Sequence, residues 1–457
     1  MQAQSRQFPL GRFPQRTAPL SAVANAVSPA LVLIAILLFL PDELSFYFGE
    51  FRLTPIRLVL FLLTPFLLFR FIQLLASKKR QLVISDILVL LAAAWMIISP
   101  AILFDLGYSL HHSGPSAVEF CGGYLAARVL LSRRGEALGF INLMCHVIAI
   151  VAVLGALDSV FGSPLIHNFV GRLMGLPTVT AGEGGLQYRL GVLRAMGPII
   201  HPILFGIVCA VGLLLGVMSS ARVKALTIGA CALGVMLSLS SAPILGSMLG
   251  LCLLAYDHTL SGFRGRWFVL IGIVALGFGA LSLLVSSPFA FLFGHLDLDP
   301  TSYWVRLLQW NAAGAVVKES PWFGIAFQWP EMVKQMPFFV QTSIDSLWLY
   351  LALVYGIPGA VLVGLSLVSA ACYPTTGRGV NLTSDEAKMA NSLSVVIIVI
   401  VLLGFTVDLW ESTLIFIGLL VGLRAHFADR RLESTSRLRK PNRGARQRLS
   451  LSPSSSG

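Results

Sequence analysis

The sequence predicts an all-α, polytopic integral membrane protein of about twelve transmembrane helices, counting a span wherever an apolar run approaches roughly 20 residues. Three observations carry that expectation. The 457 residues are 56% hydrophobic and only 12% charged, against roughly a quarter charged in a soluble domain, and the mean hydropathy is +0.82. Stretches such as Val395 to Leu403 are continuously apolar, which suits helices that satisfy their own backbone and not the alternating strands of a barrel. The basic connections also fall on one side if the spans are counted from the N-terminus, as the positive-inside rule requires.

The chain opens with a polar, Arg-bearing segment, 1–26, read as a cytoplasmic tail followed by an uncleaved signal anchor. The membrane domain, 27–427, has spans beginning near Val27, Ile56, Leu82, Ala117, Gly139, Ile199, Ala225, Ala242, Trp267, Ser343, Ser392 and Leu409. Lys78 to Arg80, Arg133 and Arg134, Arg222 to Lys224, Arg264 to Arg266 and Arg378 to Lys388 then lie in the cytoplasm. The acidic turn Asp42 to Glu50, the His111-His112 loop and two large loops, about 162–198 and 289–342, lie outside. Ser238 to Pro243 reads as a helix break at membrane depth, tolerable where protein covers it. The tail 428–457 is rich in Arg and Ser and is expected to be disordered and cytoplasmic, lying against anionic headgroups.

Net charge is +12, concentrated at the termini, which is a topology signal and not a nucleic-acid footprint. The six cysteines have no CxxC spacing, so neither a disulfide framework nor a zinc site is expected. No P-loop, dinucleotide fold or HExxH site occurs, Asp297-Leu-Asp299 is as well read as a turn, and no cofactor or metal is expected.

Three constellations can carry chemistry. In the first, Arg189, Arg194 and His201 stand where an external loop meets the sixth span, with Arg172 in the same loop. External arginines run against the topological bias, and a guanidinium fork suits phosphate oxygens; the alternative is an arginine that snorkels at a helix end. His201 is either a proton carrier or a structural residue before proline. In the second, Tyr303, Arg306, Gln309 and Trp310 open the long loop as a short amphipathic helix on which Arg306, Gln309 and Trp310 share a face. Arg306 can hold phosphate while Trp310 and Tyr303 meet sugar or interfacial lipid. Glu319 to Gly324 reads as the turn closing that helix. In the third, Asp345 sits where the loop re-enters the bilayer, either as a base or as a helix cap.

The order of these pieces resembles the O-antigen ligase and polysaccharide polymerase superfamily of bacterial inner-membrane glycosyltransferases. The likeness runs from Arg189 to Gly359: Arg194 to His201 before a span, the break at Leu239-Ser240-Ser241, Arg306 to Gly324, and Thr342 to Gly356-Ile-Pro-Gly359. It implies a GT-C-like fold with large periplasmic loops, and metal-independent transfer of a glycan from undecaprenyl diphosphate. Arg194 and Arg306 would bind the diphosphate, with Arg189 and Arg172 in support, and Asp345 and His201 would be the catalytic candidates. Ala242 stands where the family often has arginine, and Asp345 where ligases usually carry histidine. The departure at Asp345 favours a polymerase of lipid-linked repeat units, for exopolysaccharide or O-antigen, over a ligase that transfers finished glycan to lipid or protein. A transporter or flippase of lipid-linked sugars is the alternative of another class. The expected partners are the undecaprenyl-diphosphate-linked oligosaccharide and the bilayer, with a chain-length regulator and a flippase as candidate protein partners.

Overall fold

The computed structural model describes residues 27–48, 51–176, 187–219, 224–263, 265–285, 300–328, 344–375, 382–409 and 412–429. Both tails, Asp297 and Asp299, and the whole 329–343 stretch of the long loop lie outside the described residues. Among the described residues the chain forms fifteen α-helices and two short antiparallel hairpins.

Each expected span falls on a helix. Six are long and apolar enough to cross a membrane: α2 (Pro55–Ala76), α3 (Ile84–Leu103), α6 (Arg134–Phe161), α11 (Arg266–Leu284), α13 (Leu347–Ala371) and α14 (Ser384–Leu403). The others are shorter or less apolar. α1 (Pro29–Leu37) has nine residues, and at about 1.5 Å per residue it crosses less than half of a bilayer core. α5 (Gly114–Leu130), α8 (Pro202–Met218), α9 (Lys224–Leu237), α10 (Ser241–Thr259) and α15 (Ser412–Ala428) complete the set. Three further helices, α4 (Leu106–His112), α7 (Leu165–Leu173) and α12 (Pro300–Glu319), fall in connections. The outer faces of α2 and α11 are apolar and exposed, with Leu62, Phe66, Phe69, Phe268 and Leu276 all more than half accessible, the surface that a helix presents to lipid.

The centre is made by α5, α8 and α15, which are buried along most of their length. α5 and α15 approach closely because glycine lines the seam. A Cβ on Gly418 would lie 2.2 Å from the Phe120 carbonyl, and one on Gly422 would lie 2.4 Å from that of Tyr124. This is small-residue packing, which lets dispersion replace a hydrophobic drive that lipid does not supply.

At one end the basic connections converge on Arg128, which is fully buried. Its Nε and Nη2 donate to the two Asp86 oxygens at 2.8 and 2.9 Å, and its Nη1 donates to Asp429 at 3.3 Å. Asp429 also accepts from Gln81 N–H at 3.2 Å, and its carbonyl accepts from Arg134 Nη2 at 2.6 Å. Arg80 donates to the Leu131 carbonyl. The α2–α3 and α5–α6 connections and the end of α15 are thereby joined.

The other end is irregular. α13 breaks at Gly356, whose φ of 75° and ψ of 170° are not helical. The turn after α12, Ser320 to Ile325, wedges into that break. Ile325 N–H donates to the Leu353 carbonyl and Ile357 N–H to the Pro321 carbonyl, each at 2.8 Å. The Trp95 indole donates to the freed Tyr355 carbonyl at 2.8 Å. Gly324 also has positive φ, 67°, so the wedge and the break each need a residue without Cβ.

Asp86→Ala is expected to cost about 3–5 kcal/mol by leaving Arg128 underpaired in a dry interior, read as a lower unfolding midpoint in detergent. Gly356→Ala would put a Cβ 2.1 Å from the Trp322 carbonyl; limited proteolysis should then cut the 320–325 turn faster than in the wild-type protein.

Candidate functional site

The first constellation assembles on a helix break. α9 ends at Leu237 and α10 begins at Ser241, which frees carbonyls in between. A two-residue hairpin, β3 (Tyr188–Arg189) with β4 (Val192–Leu193), brings guanidiniums to them. Arg194 Nε donates to the Ser238 carbonyl and Arg189 Nη1 to that of Leu239, both at 2.9 Å. Ala195 N–H takes the Leu237 carbonyl at 2.9 Å. Arg194 also donates through Nη1 to Gln187. It is 6% exposed, yet Nη2 has no hydrogen-bond partner among the described residues. Its charged neighbour is a second cation, Arg189; burial, reinforced by that cation, lowers the Arg194 pKa to about 10, so it stays charged at neutral pH.

His201 joins the same cluster, with its Nε2 3.1 Å from Gln187 Nε2. Its Nδ1 accepts from Ile203 N–H at 3.2 Å, making it the N-cap of α8. Burial, followed by the Arg194 charge, pushes it down to about 4, so at neutral pH it is an uncharged cap and a weak proton acceptor. Arg172, exposed at the end of α7, makes no hydrogen bond or ion pair among the described residues and is not brought to the cluster.

Asp158 and His167 hold the segment leading to His201. Asp158 accepts from Gly197 N–H at 2.7 Å and from Leu165 N–H at 2.9 Å. His167 Nδ1 lies 2.7 Å from Glu43 Oε1, and Nε2 lies 3.3 Å from the Ile199 carbonyl. Both ring nitrogens face acceptors, which only the imidazolium satisfies in full.

The second and third constellations come together. Arg306, Gln309 and Trp310 lie on α12 as the sequence spacing implies, while the Tyr303 side chain lies outside the described part. Gln309 accepts from Asp345 N–H at 3.0 Å. Trp310 donates to the Phe405 carbonyl at 3.4 Å and stacks on that ring at 6.4 Å. Arg306 is partly buried beside them. The cap of α13 is Ser346, not Asp345: its hydroxyl accepts from Leu349 N–H at 3.4 Å and donates to the Gly404 carbonyl at 3.0 Å. Asp345, one residue earlier, is left to face Asp408 in the α14–α15 connection. Burial first, and then the Asp345 charge, raise Asp408 to about 7.

Below Asp408 lies a cavity of ≈ 200 Å³, lined by Arg57, Ser116, Glu119, Tyr350, Tyr355 and Asp408 among others. Arg57, in the first turn of α2, donates to Glu119 of α5. A smaller cavity, lined by Pro198 to Ile200, Leu204 and Ser412 among others, lies against the segment that leads to His201. The Arg57–Glu119 pair escaped the sequence reading, because its members are 62 residues apart. The available signal was Glu119 itself, a carboxylate inside an apolar run, which lipid tolerates only when it is paired. Among the described residues no group of three or more His, Cys, Asp or Glu is placed to hold a metal ion.

No family model matches the chain, and comparison with curated proteins gives no match.

The Glu43–His167 contact has a testable pH signature. Burial alone would lower His167, but the Glu43 carboxylate and the Ile199 carbonyl raise it above 6.5. Burial alone would raise Glu43, but His167 holds it below 4.5. The Glu43 contribution is present above 4.5 and is lost as pH falls through its lowered pKa. The His167 contribution is full below 6.5 and is lost as pH climbs through its raised pKa. The melting difference between wild type and Glu43→Gln should therefore be largest between these two values and shrink on both sides.

Proposed function

We propose that this protein is a metal-independent glycosyltransferase of the bacterial inner membrane that polymerises undecaprenyl-diphosphate-linked oligosaccharide units at the periplasmic face. The reading takes the chain as a twelve-span, GT-C-like protein with both termini in the cytoplasm, working beside a flippase and a chain-length regulator in exopolysaccharide or O-antigen synthesis. The observation that carries it is Arg194. Among the described residues a buried guanidinium keeps one donor unpartnered and has a cation, not a carboxylate, as its charged neighbour. Such an arrangement is costly unless an anion completes it, and a lipid-linked diphosphate supplies one.

The chemistry needs no cofactor. The acceptor hydroxyl attacks the anomeric carbon of the donor, and its oxygen forms the new glycosidic bond. The bond from that carbon to the phosphate oxygen breaks, and the lipid diphosphate leaves with the electron pair. Arg194 and Arg189, fixed on the helix break, stabilise the negative charge that develops there, with Arg306 of α12 as a further donor. The acceptor proton passes to Asp408, which burial and the neighbouring Asp345 charge raise to about 7, a value that suits a base working near neutral pH. His201 positions Gln187 and, through it, Arg194.

One observation favours a second reading. Glu119 lies within α5, paired with Arg57, and an ionisable pair inside a span is a mark of ion-coupled transport, here of lipid-linked sugars.

Purified protein in lipid, given lipid-linked repeat units from its host, should produce a ladder of lengths. Transfer only to an added lipid or protein acceptor would make it a ligase. Movement of substrate across vesicles without any new glycosidic bond would make it a transporter. Arg194→Gln should reduce extension about 10²-fold with unchanged protein level. Wild-type extension should rise as pH climbs through about 7, where Asp408 loses its proton. Asp408→Asn should abolish that rise and lower kcat about 10²–10⁴-fold; an unaltered pH profile would remove Asp408 from the mechanism.

A further inference from the structure

The cavity between α2, α3, α5, α13 and α15 is built for a polar occupant. The hydroxyls of Tyr355, Ser113 and Ser116 stand together at its wall, and neither Tyr355 Oη nor Ser113 Oγ completes a hydrogen bond of good geometry among the described residues. Tyr355 is 1% exposed and Ser113 is fully buried, and native proteins rarely leave such groups unsatisfied. The walls say which polar occupant fits. Glu119 and Asp408 outnumber Arg57, so a diphosphate would meet like charge. Met96, Leu347, Leu351, Leu409 and Leu414 give the cavity an apolar side, but the carboxylates and the guanidinium opposite would be left without further partners by an acyl chain. What these walls match is a neutral molecule whose groups both donate and accept. Hydroxyls can give to Glu119 and Asp408 and receive from Arg57 and Tyr355.

Aromatic rings mark a path to the same place. His112 is exposed on α4, its ring centroid 5.6 Å from that of Phe327. Phe327 is in turn 6.2 Å from Tyr355. A sugar ring has an apolar C–H face that packs on such a series, and a rim of hydroxyls that suits the cavity.

We propose that this cavity is a sugar-binding subsite that holds one neutral sugar ring, the end of the glycan whose hydroxyl is to react. The assignment of that ring as the acceptor rests on the glycosyl-transfer reading; the affinity of the cavity for a neutral sugar does not.

The test uses the full chain in nanodiscs, with the exposed Cys252 and Cys372 replaced by serine and Ser116→Cys placed in the cavity wall. The rate of modification by a small, membrane-impermeant thiol reagent is measured alone, with a panel of neutral hexoses and N-acetylhexosamines, and with glycine betaine or inorganic diphosphate at equal osmolarity. At least one sugar should slow modification several-fold, saturably, and Glu119→Gln should abolish the effect. Equal rates with every sugar, equal slowing by betaine or diphosphate, or no modification at all would overturn the proposal, showing respectively a water-filled, an unselective or a closed cavity. If Ser116→Cys does not fold, saturation-transfer NMR of the wild-type protein with the same panel decides, and the absence of transfer from any sugar overturns the proposal. Protection without a glycan ladder would keep the subsite and discard the polymerase. A ladder without protection would discard the subsite alone.

Discussion

A guanidinium with no access to water must find its counter-charges inside the protein, and Arg128 finds two. Asp86 meets it with both oxygens, and Asp429 arrives from the far end of the chain. Moving these charges out of water is expensive, and their mutual attraction repays it only with close geometry. The α2–α3 and α5–α6 connections, the start of α3 and the end of α15 therefore cannot shift independently. The cation also lies over the Phe71 ring, 5.7 Å from its centroid, so α2 is drawn into the same arrangement.

Rigidity at that end lets the opposite end be irregular. There the helices stop short, break or restart, and each interruption frees backbone groups that lipid cannot satisfy. The protein meets this demand with side chains placed elsewhere in the sequence: Arg194 and Arg189 at the α9–α10 break, Trp95 at Gly356, and Ser346 at Gly404. The groups available for chemistry stand at the same places. Arg194 serves the backbone with Nε and still presents Nη2, so one residue both closes a break and keeps a charge in a buried setting.

Much of this was legible in the sequence because it is local. Apolar runs locate the helices, Ser238 to Pro243 announces the break, and the spacing of Arg306, Gln309 and Trp310 gives the inward face of α12. Glu319 to Gly324 is the turn it looked to be. What escaped depends on long-range partners or on a shift of one residue. Nothing near Glu119 points to Arg57, and nothing near Arg128 points to Asp429. The cap at α13 fell to Ser346 because its hydroxyl can accept from the first turn and donate to Gly404 at once, whereas a carboxylate at Asp345 can only accept. Arg172 shared a loop with Arg194, but α7 carries it to the surface. Six of the helices on the expected spans are long and apolar enough to cross a membrane, and the others are shorter or less apolar, partly because breaks shorten helices.

Helix α12 is fastened twice. Its middle is tied through Gln309 and Trp310 to the start of α13 and to Phe405, and its C-terminal turn is wedged into α13 at Gly356. A rod pinned at one point can pivot or roll, but a rod pinned at two can do neither without releasing a pin. The helix beside Asp345 is therefore a latch and not a flap: small pushes on α12 are resisted as a whole, and any displacement of it has the character of a discrete step.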